Sequence, residues 1–252
     1  MKRAAAAVCA LLAGVIAATA SGAPAPSFRG PFGSGADRVW LVQPRTRARS
    51  VVVFLHGWKV APPSPSYPWV GQFKPWIDHL VARGSTVVFP AYQTGTDAQG
   101  SARVTSLRRG LDEGFARLPK PIPPVVAAGY SYGASLAFYY AANARAWRLP
   151  EPVAVDAVFP AGMIPGAALP QLARRAQVLI EVGDQDTVAG RGGADEFWSW
   201  LSGRHGARQR LVVVRSSAGF AAVHAAPKLS TLPARRAFWA PLDGLVADAR
   251  RR

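Results

Sequence analysis

Short apolar segments rich in β-branched residues alternate along this chain with longer segments in which apolar residues recur every three or four positions. Segments of the first kind are typical of strands buried on both faces of a sheet, and those of the second kind of helices that cover those faces. The alternation predicts an α/β fold with a mostly parallel sheet and helices on both sides. The predicted strands are 38–42, 50–55, 85–89, 125–128, 154–159, 177–182 and 210–214.

The helical segments lie between these strands and follow the last of them. In the segment 100–118, for example, Val104, Leu107, Leu111 and Phe115 stand at helical spacing. The predicted helices are 71–83, 100–118, 131–147, 194–201 and 235–249. The stretch 60–70 is predicted to be a loop, because four prolines exclude a helix or a central strand. We assign 37–252 to a single α/β domain, with room at 160–170 for only a minimal lid.

The N-terminal segment, 1–20, is predicted to be a secretory signal peptide. Lys2 and Arg3 precede an apolar, alanine-rich run, and the small residues A-T-A at 18–20 end it. The run is short for a bilayer span, which needs about 20 apolar residues. An uncleaved anchor and cleavage after residue 23 are the alternatives. We expect a secreted or periplasmic protein that begins with a flexible lead over 21–36, rich in Pro, Gly and Ser.

Cysteine chemistry is excluded from the mature protein. Cys9 is the only cysteine in the chain, and it lies inside the predicted signal peptide. The mature chain therefore forms no disulfide and has neither a thiolate nucleophile nor a cysteine metal site.

The formal net charge of +16 bears on which partners the chain attracts. The densest basic clusters are Arg45, Arg47 and Arg49 near one strand, and the C-terminal run 250–252. Neither cluster is interleaved with aromatic residues, and no nucleic-acid recognition motif accompanies it. We expect no nucleic-acid partner, and at most a loose association with anionic surfaces.

The segment 129–133 reads G-Y-S-Y-G and fits the pattern G-x-S-x-G. A buried strand is predicted before it and an alanine-rich helix after it. A sharp turn between them exposes the Ser131 hydroxyl at the edge of the sheet and aims the helix N-terminus at charge developing there. The flanking glycines are needed because a Cβ at either position would collide with neighbouring backbone. We predict Ser131 as a nucleophile; the alternative is a serine that caps the helix.

A serine hydroxyl needs a general base, which makes the four histidines candidates. His224 follows the last predicted strand, in a loop from which it can reach back to Ser131. His79 is predicted to be a surface or packing residue of a helix, and His205 a cap at a helix C-terminus. His56 lies at the wrong point of the chain for the base and is predicted to hold its own loop.

A catalytic imidazole needs a carboxylate on its second nitrogen, to fix the tautomer and stabilise the imidazolium. The loop after the strand 177–182 offers Asp184 and Asp186. Asp186 is favoured, because the loop has turned toward the site by that position. Asp184 is expected to hydrogen-bond the turn backbone. Asp156 and Asp195 are less favoured alternatives.

The backbone amides of Trp58 and Tyr132 are the predicted oxyanion hole. A tetrahedral intermediate needs two donors about 3 Å from its oxygen. Tyr132 directly follows the predicted nucleophile, and Trp58 ends the H-G-W sequence after the strand 50–55.

Aromatic residues on the predicted loops are candidates for the walls of a substrate cleft. The predicted substrate-binding residues are Trp58, Tyr67, Trp69 and Tyr92. Such a cleft suits an apolar or aromatic acyl or alcohol group. The alternative is that these rings, and Tyr130 with them, pack the loops against the core.

The chain resembles the α/β-hydrolase superfamily, and specifically its small secreted esterase, lipase and dienelactone-hydrolase-like members. The resemblance rests on F-L-H-G-W at 54–58, G-Y-S-Y-G-A at 129–134, V-G-D-Q-D-T-V at 182–188 and V-H at 223–224. It covers the chain from about Val39 to the final helix, and its order of serine, aspartate and histidine is the one that α/β-hydrolases use. Two departures are a serine where dienelactone-type enzymes often carry cysteine, and an HG motif without a third glycine.

The resemblance implies a serine hydrolase that cleaves small or polymeric carboxylic esters through an acyl-enzyme on Ser131. It implies no metal and no organic cofactor, and we expect a monomer. Two alternatives remain open on the same fold. One is an acyltransferase or thioesterase with the same site, and the other is a catalytically silent protein that binds a polymer or partner.

Overall fold

The computed structural model describes residues 26–58, 69–94, 100–202 and 208–252, which form an eight-stranded sheet with helices packed against it. The strands are β1 Ser27–Phe32, β2 Val39–Gln43, β3 Ser50–Leu55, β4 Ser85–Pro90, β5 Val125–Tyr130, β6 Pro152–Val158, β7 Gln177–Gly183 and β8 Gln209–Val214. Every residue of β3, β4 and β5 is buried, so both faces of the central sheet are covered. The predicted α/β architecture is confirmed.

The strand order across the sheet is β1-β2-β4-β3-β5-β6-β7-β8. The pairs from β4 to β8 are parallel, whereas β2 runs antiparallel to both of its neighbours. Parallel strands end at the same edge of a sheet, and loops at the carboxyl ends of such strands are the usual location of binding sites. The loops after β3, β5, β7 and β8 therefore meet at one edge, which we call the site edge.

The main helices are α1 Lys74–Ala82, α2 Gly100–Ala116, α3 Tyr132–Asn143 and α4 Gly192–Ser202. Two further helices, α5 Leu232–Ala234 and α6 Ala240–Arg250, end the chain, and short 3-10 turns lie at Gly35–Asp37, Trp69–Phe73 and Ala226–Lys228. The central helix α3 is buried over Gly133–Ala141 and packs on β5 and β6. Within the described ranges, no helix has the length and apolar content needed to cross a membrane.

The N-terminal strand corrects one prediction. The segment 21–36 is predicted to be a flexible lead, but Ser27–Phe32 within it pairs antiparallel with β2 as an edge strand. Its residues are exposed apart from the half-buried Phe32, so they show no apolar alternation, and an edge strand tolerates Gly30 and Pro31. The predicted signal peptide, 1–20, lies outside the described residues.

The C-terminal helix differs from the single helix predicted over 235–249. A π turn, Arg235–Trp239, separates α5 from α6. Pro241 stands in the first turn of α6 and lacks the N–H that a continuous helix would bond to Ala237, which favours an interruption here. The irregular segment places Phe238 and Trp239 in the core.

Two carboxyl groups on neighbouring strands of the sheet are buried in the protein interior. Asp156 on β6 and Glu181 on β7 are 0% and 1% exposed, and none of their four oxygens has a hydrogen-bond partner of standard geometry in the described part of the chain. Burial raises the pKa of Asp156 from 3.8 to about 7. Burial, and then the neighbouring Asp156, raise the pKa of Glu181 well above its usual value, while Arg210 opposes this increase.

These two carboxyls are expected to make stability decrease as pH rises. The folded state binds their protons more tightly than the unfolded chain, so Asp156 makes the free energy of unfolding fall from about pH 4 through about pH 7, and Glu181 contributes in the same direction. Replacing Asp156 with asparagine removes one such group and is expected to raise the free energy of unfolding at pH 8 by about 1 kcal/mol or more. Urea denaturation at pH 4.5 and pH 8 measures the change.

The exposed Asp195 provides the matched control for this experiment. Asp195→Asn is expected to keep the pH dependence of the unchanged protein. An equally steep decrease in Asp156→Asn would show that Asp156 does not contribute to it.

Candidate active site

Ser131 lies at the turn between β5 and α3, in a backbone conformation that non-glycine residues rarely adopt. Its φ is 56° and its ψ is −124°. Its N–H donates to the carbonyl oxygen of Val158, the last residue of β6, over 2.8 Å. The tight turn leaves the side chain half-buried at the site edge. Strained conformations of this kind are typical of nucleophiles on a strand-to-helix turn.

The two flanking glycines are required by close backbone approaches. A Cβ on Gly129 would lie 2.2 Å from the Gly133 carbonyl oxygen. A Cβ on Gly133 would lie 2.2 Å from the carbonyl oxygens of both Leu55 and His56. Real Cβ atoms do not approach backbone so closely, so the steric reason given for the G-x-S-x-G pattern holds at both positions.

The His224 ring lies between the Ser131 hydroxyl and a carboxylate. Its Nε2 is 3.0 Å from Ser131 Oγ, and its Nδ1 is 2.9 Å from Asp186 Oδ2. The serine and the histidine are 93 residues apart in sequence, and the loop after β8 brings them together. The side chain of His224 is 15% exposed and that of Asp186 is fully buried. The structure thus aligns Ser131, His224 and Asp186 in one hydrogen-bonded row.

Asp186 is held in place by its own loop. Its Oδ1 accepts hydrogen bonds from the N–H groups of Val188, at 2.8 Å, and Ala189, at 3.2 Å. One carboxylate oxygen is therefore fixed by backbone, and the other faces the imidazole. This arrangement orients the His224 ring and provides a negative charge beside it.

Asp184 points away from the imidazole toward the loop after β8. Both of its oxygens accept from the Ser216 N–H at 3.0 Å, and Oδ1 also accepts from the Ser216 hydroxyl at 2.6 Å. These hydrogen bonds lower the pKa of Asp184. The other two carboxylates considered from the sequence are also elsewhere, since Asp156 is buried beside Glu181 and Asp195 pairs with Arg191 at 2.9 Å.

Neutralising the two loop carboxylates separately is expected to have unequal effects. Asp186→Asn should lower kcat for a p-nitrophenyl ester by roughly 10⁴-fold, because the amide favours the wrong imidazole tautomer. Asp184→Asn keeps the triad contacts and is expected to lower kcat by less than about tenfold, mainly through a loosened loop. Steady-state kinetics of both variants measures the difference. The reverse ranking would contradict the assignment of Asp186.

The other two histidines that the structure describes, His56 and His79, have structural partners. His56 is fully buried, and its two ring nitrogens lie 2.6 Å and 2.8 Å from the carbonyl oxygens of Gly57 and Ala91. His79 on α1 pairs with Asp243 at 2.8 Å. His205 lies outside the described residues. Neither of the two described histidines contacts Ser131, as predicted.

The loop that carries Trp58 lies beside the nucleophile. A Cβ on Gly57 would meet the Ser131 Cβ at 3.2 Å, so the H-G-W segment passes directly against the serine. Tyr132 begins α3, and an amide at a helix start has no acceptor within the helix. The Arg103 guanidinium lies 5.6 Å from the Trp58 ring and 4.9 Å from the Tyr132 ring, and so connects the two predicted oxyanion residues.

For one of the four predicted substrate-binding residues, Tyr92, the structure shows a different role. Tyr92 is 0% exposed, its ring stacks on His56 at 4.3 Å, and its hydroxyl donates to the His56 carbonyl oxygen. Tyr92 is therefore a buried support of the H-G-W loop, which was the alternative considered, and not part of a cleft wall. Trp58 is 51% exposed and remains available to a substrate. Tyr67 and the side chain of Trp69 lie outside what the structure describes.

Two rings that position His224 were not assigned that role from the sequence. Phe159, directly after β6, stacks on the imidazole with 5.4 Å between ring centroids. The Tyr130 ring lies 5.0 Å from the imidazole, and its hydroxyl donates to the His224 carbonyl oxygen over 2.7 Å. Burial raises the pKa of Tyr130, which keeps this hydroxyl a neutral donor. In the sequence, the one feature that points to this role is that both aromatic residues stand at the carboxyl end of a strand.

Among the residues that the structure describes, no three His, Cys, Asp or Glu side chains are grouped so that they could hold a metal ion.

No protein-family model matches the sequence. No curated protein matches it either. Solved structures do match in fold. Esterase B from Lactobacillus rhamnosis has a TM-score of 0.68 at 13% identity, covering 91% of this chain and 88% of that chain. Esterase 2 from Thermogutta terrifontis, solved phosphoramylated by tabun, has a TM-score of 0.64 at 17% identity, covering 90% and 96%.

Carboxyl esterase 2 from the mycorrhizal fungus Tuber melanosporum is similar as well, with a TM-score of 0.62 at 14% identity and coverage of 92% and 89%. Identities this low establish shared architecture alone. The chain has the α/β-hydrolase fold, as the sequence predicted, and the three similar structures named here are esterases.

Proposed function

We propose that this protein is a serine-dependent hydrolase of carboxylic esters that forms an acyl-enzyme on Ser131. The observation that carries the proposal is the row of contacts from Ser131 Oγ to His224 Nε2, at 3.0 Å, and from His224 Nδ1 to Asp186 Oδ2, at 2.9 Å. A nucleophile within hydrogen-bond reach of a base that a third group orients is the geometry that acyl transfer requires.

The first half-reaction acylates the serine. Ser131 Oγ attacks the ester carbonyl carbon as His224 Nε2 accepts the hydroxyl proton. The carbonyl oxygen becomes negative and is stabilised by the amides of Trp58 and Tyr132, together with the N-terminus of α3. The imidazolium then gives its proton to the departing alkoxide, and the alcohol leaves as the carbonyl re-forms on Ser131.

The second half-reaction regenerates the enzyme. A water molecule gives a proton to His224 and attacks the acyl carbon, and the serine leaves as its oxygen takes that proton back. The carboxylic acid is released. Asp186 keeps its charge throughout and stabilises the imidazolium in both halves.

The surroundings of His224 support this cycle. The imidazole lies between Phe159 and Tyr130, and the Tyr130 hydroxyl holds its backbone, so the ring needs little reorganisation to reach Ser131. Preorganisation of this kind lowers a barrier, because the groups are already oriented when charge develops.

The substrate class follows from the exposed surface and from the similar structures. The half-exposed Trp58 offers an apolar wall next to the nucleophile, which suits an acyl or alcohol group with apolar character. The similar solved structures are esterases, which favours esters over amides. The predicted signal peptide supports an activity outside the cytoplasm. The proposed substrates are small or polymeric esters.

A combined labelling and turnover experiment tests the proposal. The purified protein is treated with a fluorophosphonate probe and, separately, assayed on p-nitrophenyl acetate and butyrate. We expect one phosphonyl group per chain, located on Ser131 by peptide mass spectrometry, and release of acid and alcohol in equal amounts. A catalytically silent binding protein would give neither result. An acyltransferase would be labelled but would form mainly a new ester when an alcohol acceptor is added.

A further inference from the structure

Basic side chains collect at the edge of the sheet where the parallel strands begin. An arginine or a lysine stands one to five residues before the first residue of β3, β4, β5, β7 and β8. Because these strands are parallel, their beginnings lie together, at the edge opposite the site edge. These residues are Arg45, Arg47, Arg49, Arg83, Lys120, Arg174, Arg175 and Arg208, and all are exposed.

The end of the chain is folded onto the same edge. The guanidinium of Arg250, the last residue of α6, donates to the hydroxyls of Ser50 and Ser85 over 3.0–3.2 Å, and these serines begin β3 and β4. Arg252 donates to the carbonyl oxygen of Arg175 over 2.8 Å. The three C-terminal arginines are therefore part of the folded surface.

Together these cations form what we call the basic face. It consists of the eight exposed residues named above together with Arg250, Arg251 and Arg252. A shallow depression at one end is lined by Arg174, Arg175, Arg208, Arg251 and Arg252, together with Gln177 and Asp248. A second depression at the other end is lined by Arg45, Arg47 and Lys120 together with prolines.

The positive charge of the basic face is only partly compensated. Among the described residues, its ion pairs are those of Arg83 with Asp243, at 3.4 Å, and of Arg251 with Asp248. Burial, and then repulsion from Arg49 and Arg83, lower the pKa of Arg250. Cations packed this closely attract an external partner with negative charge.

We propose that the basic face docks the protein onto an anionic phospholipid surface with the active site turned toward water. Neighbouring strands lie about 4.8 Å apart, so a face that extends from β4 to β8 is about 24 Å wide. Charge spread over such an area matches a plane of phosphate headgroups better than a single polyanion strand. A binder of single strands also carries stacking aromatics along its groove, and the described linings of both depressions have none.

The docked orientation follows from the sheet. Six-residue strands such as β3 and β5 separate the two edges by about 20 Å, so Ser131 stands that far above the lipid surface. The enzyme then takes its ester from the aqueous side. This inference concerns a surface remote from the catalytic residues and stands independently of the proposed activity.

Vesicle binding tests the proposal. The purified protein is sedimented with vesicles of phosphatidylcholine alone and of phosphatidylcholine with 30% phosphatidylglycerol, at 50 mM and 500 mM NaCl. We expect binding to the anionic vesicles at low salt, little binding to neutral vesicles, and loss of binding at high salt. Arg174→Gln/Arg175→Gln/Arg208→Gln is expected to lower the partition coefficient by about thirtyfold or more.

A second triple variant distinguishes the effect of the basic face on binding from the effect of net charge. Arg108→Gln/Arg191→Gln/Arg236→Gln removes the same charge from exposed positions outside the basic face and is expected to lower binding by less than threefold. Equal losses in both triples, binding to neutral vesicles, or binding of polyphosphate but not of vesicles would each overturn the proposal. Circular dichroism melts establish that both triples are folded.

Discussion

Replacing Ser131 with alanine is expected to lower kcat for p-nitrophenyl butyrate by roughly a millionfold. The change removes the atom that attacks the carbonyl in the proposed mechanism, and no other hydroxyl is placed 3.0 Å from the His224 Nε2 in the described part of the chain. The amides of Trp58 and Tyr132 remain, so a residual acceleration of about 10³-fold over water is expected. Stopped-flow assays of the unchanged protein and long-time assays of Ser131→Ala together cover this range of kcat.

The folded state should survive this substitution. The Ser131 side chain makes no hydrogen bond that caps α3, so its loss leaves the helix start unchanged. Ser217→Ala, in the exposed loop before His224, is the matched control and is expected to keep kcat within a factor of about two. Turnover by Ser131→Ala within tenfold of the unchanged protein would contradict the proposed mechanism.

Replacing His224 with alanine is expected to cost nearly as much, again about a millionfold in kcat. Without the imidazole, the serine keeps its proton at neutral pH and the alkoxide leaves without one. The losses of kcat caused by Ser131→Ala and by His224→Ala should not multiply in the double variant. Ser131→Ala/His224→Ala is expected to be no slower than either single variant, because the residues act as one unit.

His79 supplies the control for the histidine. His79→Gln breaks the pair with Asp243 on α6, so it should lower the melting temperature slightly and leave kcat within a few-fold. A double variant slower than both single variants by several orders of magnitude would mean that His224 acts in some other way than on Ser131.

Most of the sheet was predictable because its strands are buried on both faces. The segment 50–55, S-V-V-V-F-L, coincides with β3, since a continuous β-branched run of that length has few other stable environments. The edge strand β1 was not predictable, because its residues are exposed and its pairing with β2 depends on tertiary context. The π turn before α6 likewise depends on how Phe238 and Trp239 pack.

The candidate site was predictable where chain order and chemistry constrained it. Ser131, Asp186 and His224 are brought together as the sequence indicated, because they follow the parallel strands β5, β7 and β8, which end at the same edge of the sheet. The side chains that pack around the triad and its loops were not predictable in the same way. Whether Tyr92 lines a cleft or supports His56 depends on side-chain direction at a loop, which no periodicity encodes. For the same reason, the sequence did not predict the contact of Phe159 with His224 or that of Ser216 with Asp184.

Selection of this chain for heat resistance alone is expected to eliminate its activity. Ser131 is held at φ 56° and ψ −124°, where any side chain is strained and glycine is not. Glycine at 131 would relax the turn and gain folding free energy while deleting the nucleophile. Under the proposed mechanism, the residue that makes this turn most stable and the residue that gives ester turnover are therefore different.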